Sequence, residues 1–243
     1  MYFSLITPMP GAEREAAMQW AKNPYDDHQW LWRFLAAEPG TARDFLFRRR
    51  DGEGRMPGFY VVSARKPQSF SGAWQVQIRD YDPQLQEGQR LAFELRANPV
   101  VTHKVNGKSR RDDVVMHEKK RLLAERGIKC WADWPDMDKT KPPLYELIQT
   151  TCLHWLERRG EKAGFSILTR ELHDKDRSIL TEKSVRVDGY IQHRSGRKDI
   201  HFSTVDFAGE LIVTDTSAFR KILLNGIGPA KAFGCGLLLV RRL

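Results

Sequence analysis

Trp74, Val76 and Ile78 alternate with Gln75, Gln77 and Arg79, and Leu91, Phe93 and Leu95 repeat the two-residue period before Asn98-Pro99 breaks it. Alternation at this period puts the apolar side chains on one face of a strand, which must be buried, and leaves the other face polar. Elsewhere the period changes. Leu144, Leu147, Ile148, Thr151, Cys152 and Trp155 recur at helical spacing. Residues 2–7 read as a first strand, ended by Pro8, Pro10 and Gly11. Residues 12–22 allow a short helix. Asn23-Pro24, followed by Asp26 and Asp27, predicts a helix start, with Asn as N-cap, Pro at the first position and acids on the positive end of the dipole; the helix should run to about Ala37. Phe45-Leu46-Phe47 and Phe59-Tyr60-Val61-Val62 predict two strands around a glycine turn. Further strands are expected at 165–172, through Val185 to Ile191, from Thr204 to Val213 and from Gly234 to Arg241, with a helix from Ser217 to Leu224. After Pro142-Pro143 the order helix, strands, helix, strand is most of a ferredoxin-like unit. The expected architecture is α+β: an N-terminal unit over residues 1–101, a basic hairpin or linker over 102–143, and a C-terminal unit over 144–243.

Charge narrows the partners. Forty Lys and Arg face 31 Asp and Glu, a net charge of +9, so a polyanion such as nucleic acid competes with a merely basic, soluble protein. Residues 102–126 hold eight cations against four acids. Among them Lys104, Lys108, Arg110 and Arg111 flank the turn Asn106-Gly107 and read either as a solvated connection or as a grip on phosphates. Three well-separated Cys exclude a disulfide framework and fit a reducing, cytoplasmic setting. No signal peptide is expected at the N-terminus, and no apolar run approaches the ~20 residues of a membrane span.

Of seven His, none forms a His-x-x-x-His pair, and no Cys-x-x-Cys exists. No protein-built metal site is therefore expected. His28 differs from the rest: Tyr25, His28, Trp32 and Leu35 share one helix face, apolar toward its C-terminus and polar toward its N-terminus. The helix N-terminus would disfavour an imidazolium, and a neutral imidazole can act as a general base; a rim histidine satisfied by a backbone carbonyl is the alternative. Arg33, on the same helix, could meet a phosphate. Gly226, Gly228, Gly234 and Gly236 fall within eleven residues that also carry Lys231. Glycine admits positive φ and close approach of a polyanion, so Lys231 and the loop amides could cradle phosphate, or the glycines could serve only a tight loop. The order helix, loop, strand excludes a P-loop and a dinucleotide fingerprint.

Tyr25-x-x-His28, the run Ala42-Arg43-Asp44-Phe45-Leu46-Phe47 with Leu95-Arg96-Ala97-Asn98-Pro99, and the loop Gly226 to Gly236 together resemble the CasE family of CRISPR-associated endoribonucleases, subunits of type I-E systems in the RAMP superfamily. The resemblance implies two tandem ferredoxin-like (RRM-like) domains with antiparallel sheets. In the first of them, residues 66–90 read as strand and loop where a second helix is expected. It also implies metal-independent cutting of CRISPR precursor RNA at the 3′ base of a repeat stem-loop, leaving a 2′,3′-cyclic phosphate, with the product retained. His28 and Tyr25 would be catalytic. Arg33, Lys104, Lys108, Arg110, Arg111, Lys231 and the four loop glycines would bind RNA. The expected partners are the repeat stem-loop RNA and other Cascade subunits, with no cofactor, no metal and no membrane, and a monomer when free. A non-catalytic RRM-type RNA-binding subunit is the alternative, although no RNP-like aromatic run is found.

Overall fold

The computed structural model describes residues 1–20, 24–38, 40–52, 55–105, 107–173, 179–195 and 200–243. Strand β1 (Tyr2–Pro8) is followed by two short helices, α1 (Glu13–Gln19) and α2 (Pro24–Leu31), and then by β2 (Phe45–Gly52), β3 (Arg55–Ser63) and β4 (Trp74–Asp80). These strands form an antiparallel sheet in the order β2-β3-β1-β4. That is the ferredoxin-like order, with irregular chain between β3 and β4 where a second helix would stand. Asn23, the expected N-cap of α2, lies outside the described residues. The helix is shorter than its pattern predicts and tightens into a 3-10 turn, Trp32–Phe34. Arg65 then takes the free carbonyls of Leu35 and Ala36 while pairing with both Asp44 oxygens, which ends the helix.

The core of this unit is aromatic. Trp30 packs edge-on against Trp74 at 4.5 Å and against Phe34 at 4.8 Å, over Phe45, Phe47 and Phe59. Alternation along β2 sends Phe45 and Phe47 to this core. Leu46 goes to the other face, where it joins Val62 and Leu237 in a cluster between the two sheets.

The second sheet has the order β11-β12-β5-β13, with β8 added on β12. Its strands are β5 (Arg90–Ala97), β8 (Phe165–Ile167), β11 (Val185–Ser195), β12 (Ile200–Val213) and β13 (Leu238–Arg242). With α4 (Leu144–Ala163) and α5 (Thr216–Asn225) they complete a βαββαβ unit: β5, α4, β11, β12, α5, β13. Between β5 and α4 lie the hairpin β6 (Val100–Val105) and β7 (Lys108–Asp113) and the helix α3 (Val114–Arg126); β9 (Thr169–His173) pairs with β10 (Ile179–Lys183) between α4 and β11.

The expected unit boundaries are corrected by this pairing. The strand around Leu91 to Leu95 is expected in the unit 1–101, yet β5 sits between β12 and β13, with Leu95 opposite both Phe207 and Leu238. The chain passes to the second sheet between β4 and β5, and the 102–143 segment is an insertion within the second unit. The expected strand at 165–172 breaks into β8 and β9 around Leu168, whose N–H reaches Glu210. The last strand starts at Leu238, because Gly234 and Gly236 have φ of +76° and +92°, incompatible with a ladder.

Candidate functional site

His28 lies over the side chains of β2. Its ring stacks with Phe45 at 5.5 Å and 21°, lies 6.4 Å from Phe47, and meets Trp32 edge-on at 6.2 Å. Of the expected helix face only His28 is seen on α2, since Trp32 opens the 3-10 turn and Leu35 lies past it, but the imidazole still stands against an aromatic wall. Its Nε2 is buried and has no hydrogen-bond partner among the described residues. Burial, and then the positive charge of Arg43, hold the imidazole below the ordinary histidine value. The sequence predicts a neutral ring from a helix N-terminus. His28 instead stands in the last turn of α2, where the dipole favours a cation, so burial and Arg43 are the cause. Tyr25 belongs to the same helix; its side chain lies outside the described residues.

Arg43 links His28 to the glycine loop. It also depresses the ammonium of Lys231, after burial as the larger cause. Lys231 opens a 3-10 turn, Lys231–Phe233, that packs against α2. Beside it a cleft of about 460 Å³ is lined by Arg43, Arg111, Arg159 and Lys231, with Thr102 and Gly228, and by no carboxylate among the described residues. Four cations in one wall without an acid make a site for a polyanion.

Arg43 and Arg159 were not singled out from the sequence. Arg43 falls inside a run quoted for the resemblance, and Arg159 follows Trp155 by one helical turn on α4, 5.6 Å from its ring; neither position carries a local signal of a ligand. Arg33 lies 3.7 Å over the Phe70 ring and is not among the cleft cations. The basic hairpin divides by register. Thr102 pairs with Arg111 and Lys104 with Ser109, so Lys104 and Arg111 share the cleft face. Lys108 and Arg110 share the opposite face with His103 and Asp112, and Arg110 is held by Asp112 at 3.1 Å. The same fold brings His103 and Asp112 beside His117, a metal-ligand grouping that linear spacing did not predict.

All four loop glycines have positive φ. Three of their amides are spent inside the loop or its neighbours: Gly226 on Ile222, Gly234 on Lys231 and Gly236 on Arg96. A Cβ on Gly236 would lie 2.8 Å from the Ile227 carbonyl, and one on Gly226 would lie 2.9 Å from the Gly236 carbonyl and 3.0 Å from Leu46. These glycines shape the loop, and Gly228 is the one that lines the cleft.

Arg96, within the second quoted run, grips Asp206 of β12 through two bonds of 2.9 and 2.8 Å. Arg48 of β2 reaches the same carboxylate at 3.8 Å and Glu94 at 3.5 Å. Arg96 and Asp206 are cross-strand partners within the second sheet, and Arg48 of the first sheet joins them from β2.

A family model described as CRISPR associated protein matches residues 1–242. The chain belongs to that family. CRISPR system Cascade subunit CasE of Escherichia coli (strain K12) is 31% identical over 225 residues, covering 91% of this chain and 94% of that protein. CRISPR-associated endoribonuclease Cse3 of Thermus thermophilus is 29% identical over 232 residues, covering 93% of each. A structure of CRISPR endoribonuclease Cse3 bound to 19 nt RNA superimposes with a TM-score of 0.64 at 26% identity, over 99% of this chain and 98% of that one. Membership of this CasE/Cse3-type family agrees with the two antiparallel ferredoxin-like units described above. No helix among the described residues is long and apolar enough to cross a membrane.

Proposed function

We propose that this CasE-type protein is a CRISPR RNA-processing endoribonuclease that cuts precursor RNA at the 3′ base of repeat stem-loops and keeps its product as a subunit of Cascade, in the cytoplasm. The observation that carries the reading is the half-buried, cation-flanked His28, linked through Arg43 to a cleft of four cations with no acid among the described residues.

RNA brings its own nucleophile. The 2′-hydroxyl oxygen attacks the adjacent phosphorus, the 5′-oxygen leaves, and the products are a 2′,3′-cyclic phosphate and a 5′-hydroxyl. Neutral His28 takes the 2′-hydroxyl proton as general base. Arg43 and Lys231 meet the charge that gathers on the phosphorane. Tyr25 positions the scissile phosphate. Arg111, Arg159 and Lys104 hold stem phosphates, since the deep major groove of A-form RNA leaves shape and backbone to be read. The departing 5′-oxygen takes its proton from the Tyr25 phenol, and the protonated His28 returns one to that phenolate, so the proton lost by the 2′-hydroxyl ends on the 5′-hydroxyl and the step balances without a metal.

Incubation with a cognate repeat hairpin in excess EDTA tests it. Cleavage to a cyclic phosphate is expected. A single 2′-deoxy nucleotide just 5′ of the cut should stop the reaction while leaving binding intact. Binding without any cut would favour a non-catalytic RNA-binding subunit, and cutting of the deoxy substrate would overturn the mechanism.

A further inference from the structure

The hairpin β6–β7 has a second face, turned from the cleft toward α3, and that face carries a chemistry the RNA reading does not use. His103 on β6, Asp112 on β7 and His117 in the first half of α3 bring one ligand atom each into a single group, all within 4.8 Å of one another. His103 Nε2 stands 3.5 Å from Asp112 Oδ2. That is long for a hydrogen bond, and it is close to the about 3.3 Å that two ligands keep around a tetrahedral ion with bonds near 2.05 Å. The two imidazole rings are 5.2 Å apart and inclined by 39°, so neither blocks the other. The Asp112 side chain is only 13% exposed, and the Nδ1 of His103 is buried without a hydrogen-bond partner among the described residues. Three elements are involved: the ladder sets Val101 opposite Asp112 and His103 opposite Arg110, and Asp113 caps α3 by accepting the Met116 N–H at 2.8 Å, which fixes the turn that carries His117.

We propose that His103, Asp112 and His117 form a site for a borderline divalent transition metal ion such as zinc, fastening the β6–β7 hairpin to α3. Two imidazoles and one carboxylate suit zinc, cobalt or nickel and do not suit calcium or magnesium, which take all-oxygen shells. Three protein ligands leave at least one position to water. Arg110 at 3.1 Å and Lys120 at 3.9 Å now neutralise Asp112. Both side chains are more than half exposed, at 59% and 58%, and can turn into solvent when the ion takes over their role. The site is independent of the nuclease reading, because its ligands lie on the hairpin face opposite Lys104 and Arg111.

Untagged full-length protein, stripped with chelator and titrated with Co(II) at pH 7.5, tests the proposal. One equivalent should bring up the visible absorption of low-coordinate cobalt, and Zn(II) should displace it. H103Q and H117Q should each weaken the titration at least tenfold, with the circular dichroism spectrum unchanged. Should either variant fail to fold, histidine NMR of the wild-type protein decides: the ring signals of His103 and His117 must be the ones shifted by the first equivalent. Absence of a cobalt band, an unchanged titration in both folded variants, or first shifts at other histidines would overturn the site.

Discussion

At the scale of single residues, the proposed mechanism rests on His28 and on the environment that sets its protonation. The imidazole lies among Phe45, Phe47 and Trp32 with Arg43 close enough to repel a proton. His28→Ala should reduce single-turnover cleavage by at least ~100-fold, the size of an acid–base contribution, while hairpin binding persists; unchanged cutting would remove His28 from the mechanism. Arg43 offers a second test. In the free protein, NMR titration should place the His28 pKa below the usual ~6.5, and Arg43→Gln should raise it, because one of the two depressing causes is gone. The linkage has a definite sign. With the folded-state value depressed, the unfolded chain binds the extra proton first, so this group's contribution to stability is lost as pH falls from the unfolded value through the folded one. Arg43→Gln should shrink that acid-side loss. An unmoved His28 titration would mean that burial alone does the work.

At the scale of elements, the hairpin β6–β7 shows how register sorts a charge run that looks uniform in one dimension. Lys104 and Arg111 fall on the cleft face and Lys108 and Arg110 on the other. Phosphate contacts release counterions, so each lost contact should flatten the dependence of log K on log salt by roughly one unit. The pair Lys104→Ala/Arg111→Ala should flatten it markedly, and Lys108→Ala/Arg110→Ala should do so less. Equal slopes for the two pairs would contradict the division by face. The glycine loop teaches a related lesson. Its residues were legible as special, because four glycines in eleven residues rarely serve anything but unusual backbone. Their division of labour was not legible, because it depends on which amides the neighbouring β5 and α5 consume.

At the scale of the whole molecule, the two sheets are held against each other by Leu46, Val62 and Leu237, and by Arg48 of the first sheet reaching Glu94 and Asp206 of the second. Leu46 is the hinge of this arrangement. It is buried between the sheets, and its methyl groups occupy the space a side chain at Gly226 would need. Leu46→Ala should cost about 2–5 kcal/mol in denaturant unfolding, as large-to-small core changes do. It should also slow cleavage, because the loop that carries Lys231 loses its support; full activity in a folded variant would show that the loop is positioned without it.

Alternation and helical spacing were enough to read most strands and helices, the α+β class and two units of like grammar, because burial of one face per element is a local property of the chain. The pairing of β5 was not readable in this way. Leu91, Phe93 and Leu95 announce a half-buried strand, but a strand's period carries nothing about its partners, and β5 closes on β12 and β13 more than a hundred residues downstream. The same holds for the site. His28, Lys231 and Arg111 could be nominated one at a time from residue type and local pattern. Their convergence with Arg43 and Arg159, and the separate meeting of His103, Asp112 and His117, were decided by tertiary packing, since distance through space is set by ladders and helix contacts that the linear spacing of ligands does not encode.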